Sequence, residues 1–325
     1  MHHRKHTIHV LLLIFMALLV TACQSQEETP QEFTIGVINL GPVLDPIYEG
    51  FKDGLSELGY VEGENITYIY NGPVGNIDGL GAEAQVLLDA DVDLILALST
   101  PAVIALQQIE GEIPPVIFAP IFDPIAANLV PSLSKPGGTF TGVYWGLSEE
   151  QRLSWLLRLA PGVERIYIPY NPEDPAPSQA LAKVTEAADK FGVELLLREA
   201  PNPDAITAAI AEIPDNADAI MLMPDNLVAS RADEFVAAAF ERNLPLTIPT
   251  DAAVEAGALV NYSFRFHDVG VQSARLADQI MKGIDPADLP IETAEFFLTI
   301  NLKTAEALGL DVSDEALEAA DTIIR

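Results

Sequence analysis

Short runs of unbroken apolar residues alternate along this chain with longer stretches whose apolar positions return every three to four residues. The first pattern marks a strand buried on both faces, the second an amphipathic helix. Residues 33–39 form the first apolar run, and a helix is predicted from Pro46 to Leu58. A strand at 66–70, a helix at 77–90 and the most apolar strand, 92–98, come next. Pro101 stands at the first position of a further helix, where proline is favoured. A short strand at 115–118 precedes another helix starting near Pro124. The same grammar then repeats: helix 149–159, strand 165–169, helix 178–191, strand 194–198, helix 204–213, strand 219–223, helix 227–243 and strand 246–248. Residues 260–263, a helix at 267–282 and a strand at 296–300 follow. Alternating strands and helices imply parallel sheets covered on both faces. Two doubly wound α/β lobes are therefore expected. One takes residues 33–144 plus about 264–290, the other 145–263 plus about 291–325, with three chain crossings forming a hinge.

The N-terminus departs from this grammar. A basic start (Arg4, Lys5), an apolar run from Val10 to Val20 and the small residues Thr21-Ala22 lie in the order of an export signal. The apolar run is shorter than the ~20 residues a membrane span needs. Val20-Thr21-Ala22-Cys23 resembles the lipobox of bacterial lipoproteins, so residues 1–22 are expected to be removed and Cys23 lipidated. Residues 23–32 read as a tether without apolar periodicity. The expected location is the outer face of the cytoplasmic membrane, or the periplasm. The formal charge is −31, and losing residues 1–22 removes two cations and no acid. Such a chain lacks the clustered Lys and Arg that nucleic acid requires, and it is repelled by anionic headgroups. Its membrane contact is expected through acyl chains alone.

Catalytic equipment is scarce. Of five histidines, four lie before Cys23, leaving His267 at a helix start, where a surface or capping role is favoured. One histidine builds neither a triad nor a histidine-based metal cluster. Cys23 is the only cysteine, so no internal disulfide and no free thiol nucleophile is expected. No phosphate-binding glycine motif follows a strand. These absences favour binding over turnover, with no cofactor.

In open α/β sheets, ligands bind beyond the carboxyl ends of the strands. Asn39 ends the first strand. Ser99 and Thr100 end the most apolar one and open a helix, where they either cap it or help hold an anion. Asp123 caps a helix or holds a turn between lobes. Asn171, Ser178, Asp225, Asn226 and Asp251 occupy corresponding positions in the second half, where Asp225 either accepts from an ammonium group or caps the next helix. Tyr144, Trp145 and Tyr262 lie at expected crossings, to stack on a ligand or pack the hinge. Hydroxyls and a helix end on one side, facing acids and amides on the other, suit a zwitterion.

Several stretches resemble the ABC transporter substrate-binding proteins that include tryptophan-binding lipoproteins. They are the residues from Gly50-Phe51 through Gly59-Tyr60 to Asn65, Ser99-Thr100-Pro101-Ala102, Asp123-Pro124 through Val130, and Lys135-Pro136-Gly137-Gly138 through Gly142-Val143. Tyr170-Asn171-Pro172, Pro224-Asp225-Asn226 and Asn301-Leu302-Lys303 continue the likeness. The resemblance implies a periplasmic-binding fold of type I, monomeric, that closes on a small solute such as an aromatic amino acid and docks on an ABC permease with its ATPase. It also implies Thr100 and Ser178 at the ligand carboxylate and Asp225 with Asn226 at the amino group. A lipid-anchored sensor presenting the same cleft to a signalling receptor is the alternative. Gly41 and Trp145 depart from the family pattern, standing where many members have His and Asp, and the proline-rich 172–177 replaces a more polar loop.

Overall fold

The computed structural model describes residues 32–325 except Leu147 and residues 250–253. Cys23, the tether and Asp251 lie outside the described residues.

Residues 33–325 form one compact unit built on two sheets. The first has the strand order β11-β5-β4-β3-β1-β2, where β1 is Phe33–Asn39, β2 Ile66–Ile69, β3 Leu94–Leu98, β4 Val116–Ile121, β5 Phe140–Tyr144 and β11 Glu292–Thr293. All its pairings are parallel. The second has the order β13-β12-β10-β9-β8-β6-β7, from β6 Arg165–Tyr170, β7 Glu194–Glu199, β8 Ala219–Met221, β9 Leu246–Thr247, β10 Val260–Ser263, β12 Phe297–Asn301 and β13 Thr322–Ile324. It is parallel except where β10 meets β12. The chain passes between the sheets three times: after β5, after β10 and after β11.

Side chains leave a strand on alternate faces, and the core divides accordingly. Leu94, Leu96 and Leu98 face an apolar cluster that also takes Ile166, Ile168 and Met221 of the second sheet. Ile95 and Ala97 face a separate cluster on the outer side of the first sheet. One continuous core thus joins the sheets on their shared side.

The helix Phe266–Met281 returns to the first sheet and crosses the helix Asp45–Glu57. The approach is as close as backbone permits. A Cβ on Gly50 would lie 2.0 Å from the His267 carbonyl oxygen, and one on Gly270 would lie 2.1 Å from that of Ile47.

Two expected helices differ. The stretch after Pro124 is a turn over 124–128, because Asp123 Oδ1 accepts from both Ile125 N and Ala126 N at 3.0 Å and Asn128 turns left-handed at φ 54°. The helix predicted over 227–243 is two helices, Asn226–Ala229 and Ala232–Glu241, broken at Ser230-Arg231, where the Ser230 hydroxyl donates to the Leu227 carbonyl.

Candidate functional site

Parallel strands aim helix N-termini and loops at one end of each sheet, and here those ends face each other. A cavity of about 570 Å³, counting its open mouth, lies between them. From the first sheet it takes Ser99, Thr100, Phe122 and Trp145; from the second it takes Met223, Pro224, Asp225 and Asn226. Its walls are mainly apolar with few polar groups, the usual make-up of small-molecule sites. A second cavity, about 960 Å³ including its mouth, shares Asn226 with the first and is lined by Asn171, Glu173, Asp174 and Asp78. The two form one cleft with an apolar end and an acidic end.

The apolar end is built from aromatic packing. Trp145 continues β5, its backbone N–H donates to the Ile121 carbonyl at 2.7 Å, and its ring meets Phe264 edge-on with centroids 4.4 Å apart. Its Nε1 donates to Ser148 Oγ at 3.2 Å, leaving the indole satisfied and fixed as a wall. Ser99 is unusual. It sits at φ 98°, ψ 153°, a region that is otherwise almost exclusively glycine's, while its Oγ accepts from Ala102 N. Thr100 Oγ1 accepts from Phe122 N at 3.4 Å, tying the ends of β3 and β4 together at the cavity.

On the opposite side Asp225 is buried and caps the helix Asn226–Ala229, one oxygen accepting from Leu227 N at 2.9 Å and Val228 N at 3.0 Å. Its other oxygen accepts from Asn171 N at 2.5 Å. Asp174 is buried as well, accepting from Ala176 N at 2.9 Å and from Asn226 Nδ2 at 3.0 Å. Burial, joined by the charge of Asp174, pushes the Asp225 carboxyl up to about 7 against the pull of its amide donors. Burial also raises Asp174.

Behind this wall stands a fully buried ion pair between Arg152 and Glu149. Arg152 Nη1 donates to the Leu222 carbonyl at 2.7 Å. The guanidinium thereby holds the backbone three residues before Asp225.

Of the sequence-predicted residues, Ser99, Thr100, Asn171, Asp225 and Asn226 line the cleft. Asn39 lines neither cavity. It latches the loop after β1, donating to Asp45 Oδ1 at 2.9 Å and accepting from Gly41 N at 3.0 Å. Ser178 lies a turn inside the helix Pro175–Phe191, donating to the Asp174 carbonyl. Tyr144 packs in the outer cluster of the first sheet, and Tyr262 stacks on Phe296 at 5.6 Å. His267 pairs with Asp53 at 3.0 Å on the surface. Asp174, Phe122 and Phe266 line the cleft without having been singled out as ligand residues. Among the described residues, no cluster of three or more His, Cys, Asp or Glu side chains is placed to hold a metal, and no helix is long and apolar enough to cross a membrane.

Two facing parallel-sheet lobes with a cleft at their strand ends define the architecture of the periplasmic binding proteins. Residues 32–324 match the family model of the ABC transporter substrate binding proteins, and the chain belongs to that family. Its members bind substrates and are not enzymes. The chain is 27% identical over 286 residues to a tyrosine-binding protein of Clostridioides difficile, covering 87% of this chain and 83% of that protein. It is 30% identical to the ABC domain of a Streptococcus pneumonia protein in complex with L-Trp, with a TM-score of 0.85 over 90% of this chain and all of that one. A ligand-free, open substrate-binding protein with adhesive properties from Clostridium difficile is 25% identical, with a TM-score of 0.67 over 90% of this chain and 99% of that one.

Proposed function

We propose that this protein is the extracytoplasmic receptor of an ABC importer, anchored through a lipidated Cys23, and that it captures a small aromatic solute, an amino acid or a close relative, in the cleft between its sheets. The observation that carries the reading is the cavity itself: aromatic walls from Phe122 and Trp145 on one sheet oppose the amide and carboxylate of Asn226 and Asp225 on the other. Contacts drawn from both sides stabilise whatever holds the two sides together, which is the thermodynamic basis of closure on a ligand. The chain's shape is nearer that of the L-Trp complex than that of the open, ligand-free relative, as expected of a closed arrangement. Binding roles fall to Thr100 and Asn226 at the polar rim, with Trp145 and Phe122 against the ring. Ser178 lines neither cavity, and its hydroxyl donates to the Asp174 carbonyl.

Thermal-shift screening of the purified protein against aromatic and aliphatic amino acids, sugars, nucleosides and organic acids tests the reading. A ligand at a hundred times its Kd adds about 3 kcal/mol to apparent stability. A shift with the aromatic compounds alone supports the assignment, and a shift with sugars or nucleosides alone overturns it. Incorporation of labelled palmitate, abolished by Cys23→Ser, checks the anchor.

A further inference from the structure

We propose that the solute taken by this cleft is a net cation, an aromatic amine recognised through its ammonium group, for which a carboxylate is dispensable. This rests on the cleft being the solute site and assigns the charge of what enters it.

Among the described residues, no lysine, arginine or histidine lines either cavity. Arginines of the second half pair elsewhere: Arg152 with Glu149, Arg158 with Glu315, Arg165 with Asp218, Arg198 with Glu212, Arg231 with Glu234 and Arg242 with Asp215. A ligand carboxylate therefore meets no ionic partner. Helix N-termini are the usual substitute, because their first amides point outward unpaired. Four of those at the cleft are partly closed, whereas the helix Phe266–Met281, whose Phe266 lines the apolar cavity, has no side-chain cap. At Thr100–Gln107, Pro101 has no N–H and the amide of Ala102 is taken by Ser99 Oγ. At Pro175–Phe191, Pro175 and Pro177 have none and Asp174 takes Ala176. At Pro203–Ala211, Pro203 has none and Asn202 takes Ala205. At Asn226–Ala229, Asp225 takes Leu227 and Val228.

The opposite charge is in excess. Asp174, Glu173 and Asp78 line the acidic end, Asp225 lines the apolar end, and Asn226 borders both. Asp174 and Asp225 are buried with no cation beside them, and burial holds both carboxyls above their ordinary range. A ligand ammonium at this junction brings the missing counter-charge, while an apolar ring packs against the wall that Phe122 and Trp145 form.

Isothermal titration of the purified protein with tryptamine and tyramine, with L-tryptophan and L-tyrosine, and with indole-3-propionate tests the assignment. The amines are expected to bind at least tenfold tighter than the amino acids, and indole-3-propionate not at all. Amino acids binding as tightly as the amines, or tighter, overturn the charge assignment and leave the solute-binding reading standing. A sugar or nucleoside binding while the whole aromatic series fails overturns both. Glu173→Gln, at the exposed rim, should weaken tryptamine about threefold and leave neutral indole unchanged, with an unaltered melting curve showing the variant folded. Tryptamine affinity unchanged from that of the unaltered protein in both Glu173→Gln and Asp174→Asn, each shown folded in the same way, also overturns the proposal.

Discussion

Replacing Ser99 by glycine and, separately, by alanine measures the strain stored where the most apolar strand meets the cavity. At φ 98°, ψ 153° a side chain with a Cβ costs about 1–3 kcal/mol, and glycine costs none of it. Against that relief, the glycine variant loses the Ser99 Oγ cap on Ala102 N, a long contact at 3.4 Å. Serine to glycine at such a cap costs a few tenths of a kcal/mol. It also gains freedom in the unfolded chain, worth about 0.4–1 kcal/mol. The net effect runs from about zero to about 2 kcal/mol in favour of the fold. Alanine keeps the strain and loses the cap, a loss of about 0.5–2 kcal/mol. Glycine should therefore exceed alanine by about 2 kcal/mol, the strain relief and the cap preference acting in the same direction. In a chain of this size that is a separation of several degrees in Tm. Urea midpoints of the two ligand-free variants, with the slopes compared, read the difference. Alanine proving the more stable of the pair would refute the strain argument.

Three other outcomes are expected. Gly50→Ala forces the helix Asp45–Glu57 off the backbone of Phe266–Met281, since its Cβ has only 2.0 Å to the His267 carbonyl; a loss of about 1–3 kcal/mol is expected in urea, and a change under 0.5 kcal/mol contradicts the packing. Arg152→Met leaves Glu149 buried and unpaired, so about 3–5 kcal/mol should be lost, whereas the double change with Glu149→Leu recovers a large part of it. Asp225 titrates near 7 in the fold and near 4 when unfolded, so its contribution is fully present below about pH 4 and is lost as pH rises through about 7. Asp174, the titratable group facing it, adds to the same trend. The ligand-free protein should weaken by on the order of 1 kcal/mol per pH unit between pH 5 and 7, and Asp225→Asn should flatten that slope. Binding of an ammonium ligand should strengthen over the same interval.

The strands were readable because a parallel sheet buried on both faces admits little but Val, Ile, Leu and Ala, as in Leu94–Leu98. The rule that ligands sit beyond strand ends then reached Ser99, Thr100, Asn171, Asp225 and Asn226. It failed where the strand's period of two decides the face. Tyr144 and Trp145 are consecutive, so they point opposite ways, and nothing local states which way the cleft lies. The tyrosine went to the outer cluster and the tryptophan to the cavity. Tyr262 likewise turned to Phe296. Asp174 was hidden because Pro172 to Pro177 reads as a loop until the helix that Asp174 caps is seen to start at Pro175. The break at Ser230-Arg231 carries no proline or glycine, and the reversal of β12 against β10 depends on long-range pairing that no local pattern encodes.

Strand β11 is only Glu292–Thr293, yet it closes the edge of the first sheet beside Val143 and Tyr144. That sheet's largest helix contact, between Asp45–Glu57 and Phe266–Met281, likewise joins the two ends of the chain. During synthesis, then, an early-made half waits for residues added some 150 positions later before its edge and flank are covered. A fragment stopped after β5 leaves Gly50 and Gly54 without the helix they were shaped to receive and exposes an apolar strand edge. The molecule is therefore a poor candidate for division into separately produced halves. A break in the loops between β6 and β9, inside the second half, should leave the early half's dependence on the late segment intact.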